Sequence, residues 1–124
     1  MTYESVLHLI DRMVKQTPDE LAISRGNERI TYRELQDRTD QLAHLLLCGG
    51  AKKDSIIAIL LDNRVDAITS ILAVLKTGAV FVPLDPQIPN LRLQTIIAEI
   101  TPDRFITDTS LLTRLNGFSR CALR

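Results

Sequence analysis

Apolar positions along this chain follow two alternating rhythms, a three-to-four-residue step and a nearly unbroken run, and the switches between them mark the elements. Val6, Leu7, Ile10, Met13 and Val14 recur at helical spacing and predict a first helix with one apolar stripe. Thr17-Pro18-Asp19 ends it, because Pro18 disfavours a helical residue before it. LAIS (21–24) and RITY (29–32) read as two short strands around Gly26-Asn27, a pair suited to a tight turn. Thr31 then stands three residues before Glu34, the spacing at which each side chain satisfies a free amide at a helix start. Leu35, Thr39, Leu42, Leu45 and Leu46 form the stripe of that second helix, and Gly49-Gly50 stops it.

From residue 55 onward the rhythms alternate regularly. SIIAILL (55–61) is apolar on both sides, as a parallel strand covered by helices on both faces must be. Asp62-Asn63-Arg64 turns into a helix whose stripe is Val65, Ile68, Ile71, Leu72 and Leu75, closed at Gly78. AVFVP (79–83) is the next strand. Asn90 is the predicted cap of a fourth helix carrying Leu93, Ile96, Ile97 and Ile100, broken by Thr101-Pro102. RFIT (104–107) is a further strand and SLLTRL (110–115) a further helical segment, while the closing GFSRCALR suits the start of another strand. No internal repeat is visible. The expected fold is α/β, a partial doubly wound and mostly parallel sheet with helices on both faces, in one unit over residues 1–124.

The most distinctive stretch is LKTGAVFVPLDP, residues 75–86, where a helix gives way at once to a strand that stops at two prolines. Pro83 lacks an amide hydrogen and is expected to mark the strand's end. Pro86 holds Asp85 extended, at the carboxyl end of a parallel strand, where open α/β sheets bind ligands. Asp85 is therefore either a ligand contact or a turn acid that caps nearby amides. The second reading is preferred, because one acid without a partner makes weak chemistry.

Composition narrows the function classes. With 45% apolar and 24% charged residues in 124, the chain has what one globular core requires. Its 15 basic and 15 acidic residues are mixed along the chain, and aromatics make up only 4%. Neither a nucleic-acid partner nor an anionic membrane is indicated. The N-terminus carries Glu4, Asp11, Arg12 and Lys15 and is no signal peptide, so a cytoplasmic location is expected. The longest apolar runs are too short to cross a bilayer. Two cysteines, Cys48 and Cys121, lie far apart without metal-ligand spacing and read as reduced thiols. His8 and His44 read as isolated histidines on ordinary helix faces. Ser55, Ser70 and Ser110 lack a nucleophile-elbow context, and Lys52-Lys53 reads as a solvated basic spot. Arg33, Glu34, Asp37 and Arg38 look like the polar face of a helix.

LKTGAVFVPLDP resembles the second core motif of the adenylation domains of nonribosomal peptide synthetases, LKAGxAYVPLDP. ITYREL (30–35) resembles their first core motif, L-T/S-Y-x-E-L, and Pro89 with Arg92-Leu93 resembles the P-x-x-R-L that follows the second. MVKQTPDELAI (13–23) is similar to the segment that opens such domains, so the resemblance runs from about residue 5 to about residue 115. Ile30, Thr77, Val80 and Phe81 replace a usual leucine, alanine, alanine and tyrosine, and all keep the local character.

The resemblance implies an enzyme of the AMP-binding superfamily that activates an amino acid as an acyl-adenylate and passes it to a carrier thiol. It implies ATP and Mg as cofactors of the complete enzyme, none held by this chain, since the family's Ser/Thr/Gly-rich phosphate loop and catalytic lysine are not in it. No catalytic, cofactor-binding or metal residue is assigned. The motif residues Thr31, Tyr32, Glu34, Leu35, Lys76, Gly78, Pro83, Leu84, Asp85, Pro86, Pro89 and Arg92 are given a structural role. The expectation is thus the N-terminal portion of an adenylation domain, inactive alone, whose partners are the remainder of that domain and a carrier domain. The alternative is a self-sufficient α/β binding or interaction module that complements a separately encoded partner. An unrelated flavodoxin-like domain is disfavoured, because Asp62-Asn63-Arg64 offers an acid and no glycine where phosphate would be cradled.

Overall fold

The computed structural model describes residues 6–115 and the backbone of 122–123. Helix α1 (Val6–Gln16) leads into a hairpin of β1 (Leu21–Arg25) and β2 (Glu28–Thr31), with Gly26 at φ 59° in its turn. Helix α2 (Tyr32–Cys48) follows, then β3 (Ile56–Leu60), α3 (Arg64–Thr77), β4 (Val80–Leu84), α4 (Asn90–Ile100) and β5 (Arg104–Thr107). A short 3-10 helix, Leu112–Leu115, precedes β6 (Ala122–Leu123).

The hairpin is antiparallel and forms its own two-stranded sheet. The main sheet is parallel in the order β4-β3-β5-β6. The chain steps from β3 outward to β4 and then back across β3 to β5. With right-handed crossovers those opposite steps place α3 and α4 on opposite faces. The side chains agree. Ile57 and Ile59 of β3 and Ile106 of β5 pack with Ala73 and Val74 of α3 and Leu46 of α2. Their neighbours Ala58, Leu60 and Phe105 pack with Leu93 and Ile97 of α4 and with Leu115. Period two along each strand thus serves two cores, which is why SIIAILL is apolar throughout. A third cluster, Ile30, Leu35, Val65 and Leu72, joins the hairpin to α2 and α3, with Leu7 and Ile10 of α1 against it.

The expected α/β class, parallel sheet and two covered faces are all present, while several local expectations shift. Tyr32 is the first residue of α2 rather than the end of β2. Leu45, placed in the α2 stripe, is 53% exposed, and Ala43 takes the buried position. Helix α3 is buried more broadly than one stripe, through Thr69, Ser70, Ala73 and Val74, because it lies between the sheet, α2 and the hairpin. Pro83 does not end β4; it pairs within the strand opposite Ile59 and the strand continues to Leu84. This is tolerated because β4 is the outer strand of the described sheet. Val80 N–H donates to Ser55 O, so by alternation the nitrogen of Pro83 faces away from β3. Asn90 does not cap α4: Pro89 is the cap residue, without a side-chain bond, and Asn90 is the first helical residue. The segment 110–115 is a short 3-10 helix rather than an α-helix. Cys121 and most of GFSRCALR lie outside the described residues, although Ala122–Leu123 does pair with β5.

Candidate functional site

Because β3, β4 and β5 run parallel, their carboxyl ends share one edge of the sheet. There the chain leaves β3 toward α3 on one face and leaves β4 toward α4 on the other. Diverging connections open a crevice at such an edge. It encloses about 720 Å³ and is lined by Asp62, Asn63, Arg64, Ala67, Asp85 and Gln87, among others. Asn63 organises one wall. Its Oδ1 accepts from Asp66 N–H at 2.9 Å, capping α3, while its Nδ2 donates to Glu28 Oε1 at 3.0 Å. One side chain therefore starts a helix and ties the hairpin to the sheet. The other oxygen of Glu28, Oε2, is buried without a hydrogen-bond partner among the described residues.

Asp85 shapes the opposite wall. Its Oδ1 accepts from Gln87 N–H at 2.9 Å and its carbonyl from Ile88 N–H at 3.1 Å, the arrangement of a turn acid. Of the twelve motif residues, Asp85 and Pro86 line the crevice, with Leu84 buried beneath and Pro89 starting α4. Arg92 is exposed on α4. The others lie apart. Thr31, Tyr32, Glu34 and Leu35 form the hairpin-to-α2 junction, and Leu35 is 3% exposed in the third core. Lys76 reaches Asp40 of α2 in an ion pair between the two helices. Gly78 closes α3 at φ 79°, at the amino edge of the sheet, and Pro83 sits on β4.

A smaller cleft of about 240 Å³ lies between α2 and α3, over the ends of β3 and β5, with Arg38, Gln41, Asp66, Ser70 and Asp108 on its walls. The Ser70 hydroxyl donates to Asp66 O at 2.7 Å, and Ser55 and Ser110 are likewise engaged. Ser55 Oγ accepts from Lys52 N–H at 3.1 Å, and Ser110 Oγ donates to Asp108 Oδ1 at 2.7 Å. His44 is not isolated: one helical turn brings its Nε2 to 3.5 Å from the exposed Cys48 Sγ. Among the described residues no three metal-ligating side chains converge.

Sequence reasoning missed Asn63, Glu28 and Arg114. Asn63 carried a legible signal, a cap residue three before Asp66. Its contact with Glu28, 35 residues away, carried none. The Thr31 backbone N–H bonded to Glu34, then the Thr31 hydroxyl and the charge of Arg38, hold the Glu34 carboxyl below the usual range.

The family model for "AMP-binding enzyme" matches residues 10–121. Surfactin synthase subunit 2 of Bacillus subtilis is 42% identical over 86 residues, which cover 69% of this chain and 2% of that protein. An artificially fused Adenylation-PCP di-domain NRPS from Klebsiella oxytoca, NpsA-ThdA, superposes at TM-score 0.87 with 26% identity, covering 99% of this chain and 23% of that one. The Klebsiella oxytoca NpsA N-terminal subdomain in complex with anthranilyl-AMSN gives TM-score 0.84 at 26% identity, covering 98% and 31%. The chain thus spans only a small fraction of the length of the proteins it matches. Its motifs, its two-faced parallel sheet and these likenesses lead to one statement: the chain belongs to the AMP-binding enzyme family and aligns with the N-terminal subdomain of nonribosomal peptide synthetase adenylation domains.

Proposed function

We propose that the chain supplies the scaffold half of an amino-acid-activating adenylation site, working with the remainder of an adenylation domain and serving a carrier domain. The observation that carries this is the LKTGAVFVPLDP junction. Gly78 ends α3 and β4 delivers Asp85-Pro86 to the carboxyl-end crevice, in a fold that superposes over 98% of its length on an adenylation subdomain. The reaction expected of the complete domain joins a carboxylate to AMP, using ATP and Mg.

The residues present do not fit a nucleotide triphosphate by themselves. The turn from β3 into α3 is Asp62-Asn63-Arg64, and its cap is taken by the side chain of Asn63. The crevice walls add the carboxylates of Asp62 and Asp85 to the buried Glu28 Oε2 rather than a cradle of free amides. No step through ATP is assigned to these residues. Their part is to hold one wall of the site and to present β4 as an outer strand.

Amino-acid-dependent exchange of pyrophosphate into ATP tests this reading. The 124-residue chain alone should show none, and the same residues joined to the remainder of an adenylation domain should show it. Exchange by the chain alone, or its absence in a folded complete protein offered all proteinogenic amino acids and aryl acids, would overturn the proposal. A chain that is monomeric, unfolds cooperatively and captures no such remainder would favour the independent binding module instead.

A further inference from the structure

The crevice wall made by residues 85–89 has an unusual hydrogen-bond problem. Two of its five residues are prolines, so it has few amides to give, and its carbonyls point away from any ladder. Within the loop, Gln87 and Ile88 N–H both turn back to Asp85. The carbonyls of Pro86 and Ile88 are met from outside by a single side chain. Arg114 Nη1 donates to Pro86 O and Nη2 to Ile88 O, while Nε donates to Asn90 Oδ1 at 2.7 Å. All three guanidinium nitrogens are engaged, across 24 to 28 residues of sequence. Asn90 stands one residue inside the cap position of α4, and its side chain meets Arg114.

Arg114 is itself held firmly. Its N–H donates to Leu111 O at 3.0 Å, and Leu111 N–H donates to Asp108 Oδ1 at 2.9 Å. The adjoining Leu115 is 4% exposed in the core with Leu93 and Ile97. Meanwhile Asp85, Pro86 and Gln87 line the crevice. A planar fork with its donors in fixed directions can hold several acceptors at once, which an ammonium cannot do with the same geometry.

We infer that Arg114 is a positioning residue, a latch that fixes the Asp85–Pro89 loop and so sets where the Asp85 carboxylate and Gln87 stand in the crevice. The functional value of that placement rests on the adenylation reading; the latch does not. It couples the segment after β5 to the segment after β4, two strands that are not neighbours in the sheet.

Amide hydrogen exchange tests it, in the parent polypeptide and in Arg114→Ala and Arg114→Lys. Arg114→Ala should speed exchange at Gln87 and Ile88 by about tenfold or more, while the β3 amides of Ile57 to Leu60 keep their rates. Arg114→Lys should recover only part of the protection, and millimolar guanidinium ion should restore protection in Arg114→Ala. Unchanged exchange at Gln87 and Ile88, or a uniform loss that includes β3 and ignores added guanidinium, would overturn the latch. If Arg114→Ala fails to fold, Arg114→Lys carries the test: faster exchange at Gln87 and Ile88 with β3 unchanged supports the inference, and unchanged exchange there refutes it. The readout needs no activity. A polypeptide that shows this local effect but no pyrophosphate exchange refutes the proposed reaction and leaves the latch standing.

Discussion

Thr31 and Glu34 satisfy each other's backbone across the first turn of α2. Glu34 N–H donates to Thr31 Oγ1 at 3.2 Å, and Thr31 N–H donates to Glu34 Oε1 at 3.1 Å. The pair sits where β2 passes directly into the helix, so it does more than start α2. It holds the angle at which Ile30 and Leu35 enter the same core. Thr31→Ala should cost about 1 kcal/mol in urea unfolding. A loss below a few tenths would show that the packing of Ile30 and Leu35 sets the junction alone.

The same pair carries a pH dependence. Glu34 has a carboxyl pKa lowered in the fold, chiefly by the Thr31 N–H bond. The stability it adds is therefore present above the ordinary glutamate pKa and is lost as pH falls through the lowered folded value. The difference in unfolding midpoint between the parent and Glu34→Gln should shrink on acidification through that window. A difference that is flat with pH would refute the assignment.

Gly78 is required by backbone geometry rather than by space. At φ 79° a side chain is strained, although a Cβ there would meet Lys53 only at an ordinary 3.8 Å. Gly78→Ala should destabilise by about 1 kcal/mol or somewhat more. Gly78→Asn, which tolerates the left-handed region better, should recover part of that loss in thermal unfolding.

Two leucines of α4 separate core from surface. Leu93 is 0% exposed between Phe105 and Leu60, whereas Leu91 is 81% exposed. Leu93→Ala should cost about 2–5 kcal/mol and Leu91→Ala within about 0.5 kcal/mol, read by chemical denaturation. Comparable losses at both positions would mean that Leu91 is covered in solution.

Lys76 belongs to the motif, yet its structural contact is an ion pair with Asp40, whose side chain is 55% exposed. Exposed pairs contribute little, so Lys76→Met should change stability by less than about 1 kcal/mol, and raised salt should erase the difference. A larger, salt-insensitive loss would assign Lys76 a further role.

Much of this architecture could be read from residues because its signals are local. The stripe of α1, the Thr31-x-x-Glu34 spacing and Gly78 after Lys76-Thr77 each act within one or two turns. What escaped was whatever depended on a distant partner. Asn90 has the chemistry of a cap, yet Pro89 takes the cap position and Asn90, one residue inside it, meets Arg114 instead. Pro83 reads as a strand terminator until the strand order shows that its nitrogen lies on the outer side of β4. Leu45 has helical spacing but faces outward, because the buried face of α2 runs through Leu35, Thr39, Ala43 and Leu46. At the crevice, Asp85 could be placed by its flanking prolines, whereas the Asn63–Glu28 bond and the Arg114 contacts join segments whose separations carry no pattern.

The outward nitrogen of Pro83 gives β4 a directional rule for anything that adds to it. Along that margin Phe81 offers both a donor and an acceptor, while two residues later only the carbonyl of Pro83 remains. An incoming strand can zip along the amino-terminal half of β4 but loses one rung near its carboxyl end. Two copies of this chain meeting margin to margin would each bring the same gap, so the ladder between them is short. A partner whose chain turns away beside the crevice loses nothing by the missing rung. The missing rung lies at the crevice end of the margin, where Pro83 leaves β4 one donor short.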